Sequence, residues 1–458
     1  MLHSIKLSSL KELSSIYIPD SLGRVVEAYE DQRPQTADQR PLIVHIQDLH
    51  TNPDGQFNEA SILEILVKDY KLDLVCSEGA EGEVDTSTIS SFPNAEVREK
   101  TAKLFVNSGE LTAEEYLSIT KYPKLPIWGV EDKDIYFQNI IEFNKIMKFS
   151  PDSQVFIKQV KDALTELKPK IYSQKLLELD ERYNGYEEGK MDTNEYLDFL
   201  ISLYPDFDKG RFKNISLIRE AFLAEKDIDQ QKIMQESQDL LLSLQSLLSQ
   251  KNKTELETLL GKASLFKDQK IAPFSFYSYL DELARKHLKD EIAKYPSIVR
   301  FVEYLKNVNS LDSAGLFTEI EELTYEIKDL LSTDENQKHL TKSIRHIRIL
   351  GDFFNLKLSN EELSYYINNR DECKVGFFEE FLDKNLKKYN IDAFVDFNPD
   401  LIDAHLSELE HFYEIAHKRD IAIYNNTIRE VQKRNAKVVA LMMGGFHTPG
   451  VMRLLKEN

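Results

Sequence analysis

The chain has 458 residues, 41% hydrophobic and 30% charged, an ordinary globular composition with enough length for more than one lobe. Its formal charge of −20 argues against sequence-independent binding to nucleic acid or to an anionic membrane, both of which need a basic surface. The two cysteines, Cys76 and Cys373, exclude a disulfide framework and a cysteine-based metal centre.

Residues 1–40 read as an N-terminal arm, a short helix followed by a polar loop from Asp31 to Arg40. The N-terminus has mixed charge and no long apolar core, so no signal peptide is expected. No stretch reaches the roughly 18 apolar residues of a spanning helix, and the cytoplasm is the expected location.

The first clear element is the apolar run Pro41 to Gln47, a strand that leads into Asp48-Leu49-His50-Thr51-Asn52-Pro53-Asp54-Gly55. A helix follows, with apolar positions at Phe57, Ala60, Leu63, Val67 and Tyr70, spaced by three and four. Leu72 to Ser77 is a second strand ending in Glu78-Gly79, and Cys76 inside it reads as a small core hydrophobe. Strand, helix and strand in so short a span predict a βαβ unit with the two strands as parallel neighbours, placing Glu78 near His50. His45 shares a strand face with Gln47 and is expected in the core rather than as a ligand.

A polar stretch with helical pieces covers Val84 to Tyr122, and Leu125 to Val130 is a third short strand ending in Glu131-Asp132. The chain then becomes rich in Leu, Lys and Glu and helically periodic, with breaks expected at Pro151, Pro169, Pro205, Pro273 and Pro296. His339 and His346 fall in this region and are expected on solvated or packed helix faces.

The last long helix carries the stripe Ile402, Leu406, Leu409, Tyr413, Ala416, Ile423, Thr427 and Val431. Asp420 falls on that stripe with Arg419 beside it, either as a structural Arg–Asp pair or as a pair aimed at the strand ends. Asn435 suits a left-handed helix cap.

Lys437 to Met443 is a buried strand that breaks at Gly444-Gly445, presents Phe446-His447, and meets Thr448-Pro449. Thr448 is a good N-cap and Pro449 a good first helical residue, so His447 is expected at a strand end above a helix N-terminus. The arrangement repeats that of His50: an apolar strand, then His-Thr, Pro, Gly and a helix, with two residues inserted in the first copy. The expected fold is α/β: a two-half core of parallel strands, interrupted by a large all-helical insertion. Its parts are the arm 1–40, a first half 41–134, the insertion 135–400, and a second half 401–458.

The strand ends collect His50, Glu78, Glu131, Asp132 and His447, with Arg419 and Asp420 arriving from the helix and Gly444 and Gly445 as candidate cofactor-binding glycines. Two imidazoles and a carboxylate, His50, Glu78 and His447, suit a divalent first-row metal whose bound water becomes a nucleophile near neutral pH. A spare carboxylate accepts the proton and Arg419 steadies the oxyanion. The same groups also work without metal, one histidine acting as general base and oriented by a carboxylate. Neither a Ser or Cys nucleophile motif nor a phosphate-cradling G-x-x-x-x-G-K-[ST] loop is present.

The two histidine motifs, Glu78, Gly129-Val130-Glu131, Arg419-Asp420 and Gly444-Gly445-Phe446-His447 together resemble the superfamily of TraB- and TIKI-type proteins, ChaN-like haem-binding proteins and erythromycin esterases. The resemblance covers roughly residues 40–135 and 400–458, and Gln47 stands where the first Gly-x-x-His motif of that family commonly has Gly. It implies an α/β core of two related halves with helical insertions. His50, Glu78 and His447 become core site residues, with Glu131, Arg419 and Asp420 supporting them. The expected function is hydrolysis of an ester or amide bond in a small-molecule or peptide substrate, assisted by a divalent metal ion. The alternatives are haem or metal binding through the same histidines, and a non-catalytic helical interaction protein.

Overall fold

The computed structural model describes residues 16, 18–19, 21–23, 25, 41–50, 52–267, 271 and 273–458. Most of the expected arm, and Thr51 of the first histidine motif, lie outside the described residues. The chain divides into two compact units, Met1–Val130 with Lys209–Leu316 and Ile423–Asn458, and Glu131–Asp208 with Phe317–Ala422. The residues expected as one insertion, 135–400, are thus distributed over both units.

The first unit is built on a five-stranded, mostly parallel sheet: β1 (Leu42–Asp48), β2 (Leu74–Ser77), β3 (Glu81–Glu83), β4 (Ile127–Val130) and β5 (Val438–Gly444). The order across the sheet is β1-β5-β2-β4-β3. Alternation along β5 sends Ala440 and Met442 to one face and Val439, Leu441 and Met443 to the other, and both sets are buried. A strand buried on both faces reads as a continuous apolar run, which is why Val438 to Met443 carries no polar residue. One face packs against α1 (Pro53–Tyr70) and α2 (Ala113–Thr120), through Ala60, Leu63, Leu66 and Leu117. The other face packs against Ile423 and Val431 of α4 (Leu406–Arg434) and Val451 of α5 (Thr448–Glu457).

Two sequence expectations need correction. β1 and β2 are parallel members of one sheet but not neighbours, because β5 lies between them, pairing Gln47 with Met443 on one side and Ser77 with Met442 on the other. β5 takes an interior slot, paired on both edges and covered on both faces. The short β3 was not expected; it returns antiparallel along β4, opposite Gly129, after the turn at Gly79. Asn435 is left-handed, at φ 52°, and ends α4 as expected.

The first unit also holds a helical cluster around Leu240, Leu244, Leu248, Leu280 and Val302. The second unit is all-helical. Its core gathers Phe156, Leu164, Leu350, Phe353, Phe378 and Leu409. Here α3 (Lys133–Ile171) runs uninterrupted through Pro151 and Pro169, against the expected breaks. Side chains on both sides of Pro151 anchor the helix: Ser150 donates to the Phe354 carbonyl (2.8 Å) and Ser153 to that of Leu401 (2.6 Å). These contacts and the buried Ile146 and Phe156 hold the helix where propensity alone would end it. Pro273 and Pro296 open helices, as proline does at a first turn. His346 is fully buried against Tyr365, and His339 stacks on Phe377 and Phe381, so both are packing residues. Among the described residues no helix is long and apolar enough to cross a membrane.

Candidate active site

The carboxyl ends of β1, β5 and β2 meet at Gly444. The pairing of Asp48 with Gly444 brings the two histidine loops alongside each other, and the Gly444 N–H donates to Glu78 Oε2 (2.6 Å) at the end of β2. A methyl group placed on Gly444 would lie 3.5 Å from both Glu78 Oε2 and His50 Nε2. Glu78 Oε1 is 3.7 Å from His447 Nε2. His50, Glu78, His447 and Gly444 therefore gather at one place. On Gly445 the same methyl group would come within 2.6 Å of Gln47 Nε2, the end of an exposed side chain that can swing aside.

His447 is buried, and its residue forms the N-cap of α5, one place earlier than expected, with Thr448 and Pro449 as the first helical residues. The Thr448 hydroxyl is occupied elsewhere: it lies 3.3 Å from His45 Nε2 and donates to the Gly444 carbonyl. Burial pushes the His45 imidazole down to about 4, so it is neutral at ordinary pH, consistent with a core role.

His50 differs in every respect. Its side chain is half exposed, and Nδ1 lies 2.7 Å from Oδ2 of Asp48, itself almost wholly buried. The hydrogen bond to Asp48 raises His50 to about 9, and the charges of Asp48, Glu78 and Glu114 act the same way against burial. Burial pushes the Asp48 carboxyl up, and the hydrogen bond and charge of His50 outweigh it, leaving Asp48 below its usual range. At neutral pH the pair is an imidazolium held by a carboxylate.

Behind Asp48 lies a polar layer that the sequence reading passed over. Gln56 donates to Asp48 Oδ1 (2.5 Å) and to Glu59 Oε2 (3.1 Å), and Glu59 Oε1 accepts from the Leu49 N–H (3.1 Å). Burial and the charge of Asp48 push Glu59 up to about 8. Glu114, on α2, accepts from the Ser77 hydroxyl (2.5 Å) and is raised by burial. A signal for this layer exists in the sequence: Gln56 and Glu59 continue the buried line of Leu63 and Leu66 at helical spacing, so a polar pair stands where apolar residues are expected.

Glu131, Arg419 and Asp420 belong to the second unit. Glu131 is buried and pairs with Arg419 through both carboxylate oxygens, while Arg419 Nη1 donates to Asn139 Oδ1 (2.9 Å). The Arg419 guanidinium also lies over the Tyr136 ring, 5.0 Å from its centre. It is Arg419 that occupies the buried stripe of α4, one position from the expected Asp420, because its long side chain reaches Glu131 from there. Asp420 is partly exposed, 4.0 Å from His417. Asp132 caps α3, accepting from the N–H groups of Asp134 and Ile135.

The donor chemistry of His50, Glu78 and His447 suits a divalent ion. Among the described residues no three His, Cys, Asp or Glu side chains form a metal-ligand group. What the arrangement offers is an imidazole able to donate a proton, His50, and a carboxylate, Glu78, both within 3.5 Å of a methyl placed on Gly444. Comparison with family models, with curated proteins and with solved structures found no match.

Proposed function

We propose that the chain hydrolyses an ester or amide bond, with His50 as proton donor and Glu78 as the base that activates water. The observation that carries this reading is the Asp48–His50 contact, which engages Nδ1 and leaves Nε2 on the side of Gly444 and Glu78. A water beside Glu78 gives its proton to the carboxylate as its oxygen attacks the substrate carbonyl. The bond to the leaving alcohol or amine then breaks, and the leaving group takes the Nε2 proton of His50. Transfer of the proton from Glu78 back to His50 restores both groups. His447, 3.7 Å from Glu78 and buried, orients that carboxylate together with the Gly444 N–H.

The test is hydrolysis of a panel of chromogenic esters and anilides by the full chain and by its His50→Ala, Glu78→Gln and His447→Ala variants. The expected result is turnover of at least one substrate class, lost in His50→Ala and Glu78→Gln while circular dichroism stays native. Full turnover in either of those two variants would sink the reading.

A further inference from the structure

We infer that Gln56 and Glu59, in the first two turns of α1, are positioning residues that fix His50 through the Asp48 carboxylate and the Leu49 peptide. The inference rests on the reading of His50 as the proton donor. Gln56 and Glu59 are 2% and 5% exposed, on the same buried line of α1 as Leu63 and Leu66. Burying an amide and a carboxyl there is costly compared with two more leucines, unless the groups bond to something that needs them.

Their bonds converge on the two residues before His50. Gln56 turns both of its N–H donors to carboxyl groups, one to Asp48 and one to Glu59, and its own Oε1 is buried with no hydrogen-bond partner among the described residues. Glu59 takes the Leu49 N–H, which pins the Asp48–Leu49 peptide, one residue short of His50. Asp48 is thus gripped at Oδ1 by Gln56, while its Oδ2 holds His50 Nδ1. An imidazole that is half exposed has little packing of its own to fix it. Its orientation comes from these two points, and both lead back to α1. The raised pKa of Glu59 agrees: beside Asp48 it keeps its proton, so only one negative charge stands behind the imidazolium.

The experiment uses the full chain labelled with ¹⁵N-histidine, the ring N–H signals of His50 being assigned by their loss in His50→Ala. In the wild type, Nδ1–H should appear as a slowly exchanging downfield resonance. In Glu59→Ala and in Gln56→Leu it should broaden or vanish, and kcat should fall about tenfold or more with KM within about twofold, as for a misplaced proton donor. Glu59→Gln keeps an acceptor for the Leu49 N–H but turns an N–H towards that of Gln56, so it should retain more of the resonance and of the rate than Glu59→Ala. The Gln56→Leu variant removes polarity from a buried site, so it remains informative if Glu59→Ala folds poorly. An unshifted, slowly exchanging His50 resonance in natively folded Gln56→Leu or Glu59→Ala overturns the inference. The resonance needs no substrate, so a wild type that hydrolyses nothing defeats the proposed reaction and leaves this test standing.

Discussion

The main-chain N–H of Gly444 donates to Glu78 Oε2 across 2.6 Å, tying the end of β5 to the end of β2. A strand from the last twenty-one residues thereby orients a carboxylate from the first hundred, and His50 Nε2 stands on the other side of the same glycine.

Gly444→Ala tests that space directly. Its methyl group would sit 3.5 Å from Glu78 Oε2 and from His50 Nε2, an ordinary contact that the fold can absorb. The expected outcome is an unfolding midpoint close to wild type with turnover strongly reduced, because the methyl occupies the place of the reacting water or carbonyl. Retained turnover would place the reaction elsewhere.

The pH dependence of turnover should show an alkaline limb. His50 donates only while protonated, so the rate should fall as pH rises through about 9. Asp48→Asn removes both the carboxylate hydrogen bond and the charge that raise it, and the limb should move down toward the ordinary imidazole value. The rate near neutrality should then drop about fourfold, since an ordinary imidazole is only about a quarter protonated at pH 7. A rate–pH profile in which the limb is unmoved by Asp48→Asn would separate His50 from the limb.

Stability should also depend on pH in this range. His50 and Glu59 are both raised in the folded chain, to about 9 and about 8, so each favours folding most at pH values below its unfolded pKa. Those contributions fade as pH rises, for Glu59 from its ordinary 4.5 to about 8 and for His50 from 6.5 to about 9. His45 acts oppositely: held neutral by burial, it favours folding above 6.5 and loses that contribution as pH falls toward about 4. Urea midpoints across pH 6.5 to 9 should therefore decline, and the decline should be shallower in Glu59→Gln and in His50→Ala. An equal slope in all three proteins would contradict the assignment.

Arg419 and Glu131 form a pair in which both residues are buried, at 8% and 2% exposure. Removing one partner leaves the other charge buried, so Arg419→Ala or Glu131→Ala should destabilise the second unit by about 3–5 kcal/mol in urea unfolding. The Arg419→Met, Glu131→Leu double variant should lose much less. A loss of turnover in Arg419→Met with no change in stability would instead make Arg419 part of the chemistry.

Chelation tests the route through a metal that the family resemblance suggests. The proposed chemistry runs on His50 and Glu78, so dialysis against a chelator should leave turnover unchanged, and added haem should produce no Soret band dependent on His50 or His447. Loss of turnover on chelation, restored by one divalent ion, would replace the proton-donor role of His50 with ligation.

Local elements were legible in the residues themselves: the apolar runs of the strands, the helical spacing of α1 and α4, and a His-Thr pair after each of two strands. These depend on contacts a few residues apart, where periodicity and capping chemistry are legible. The gathering of His50, Glu78 and His447 could be anticipated because histidines and carboxylates at strand ends share one edge of a parallel sheet. Three relationships come from the fold alone: β5 enters between β1 and β2, Arg419 answers Glu131, and Gln56 and Glu59 stand behind Asp48. Each is a pairing between distant segments, and spacing along the chain cannot encode which strand takes a slot or which carboxylate a buried guanidinium reaches. The polar pair on the buried line of α1 left a trace in the sequence; its meaning lay in the histidine it holds.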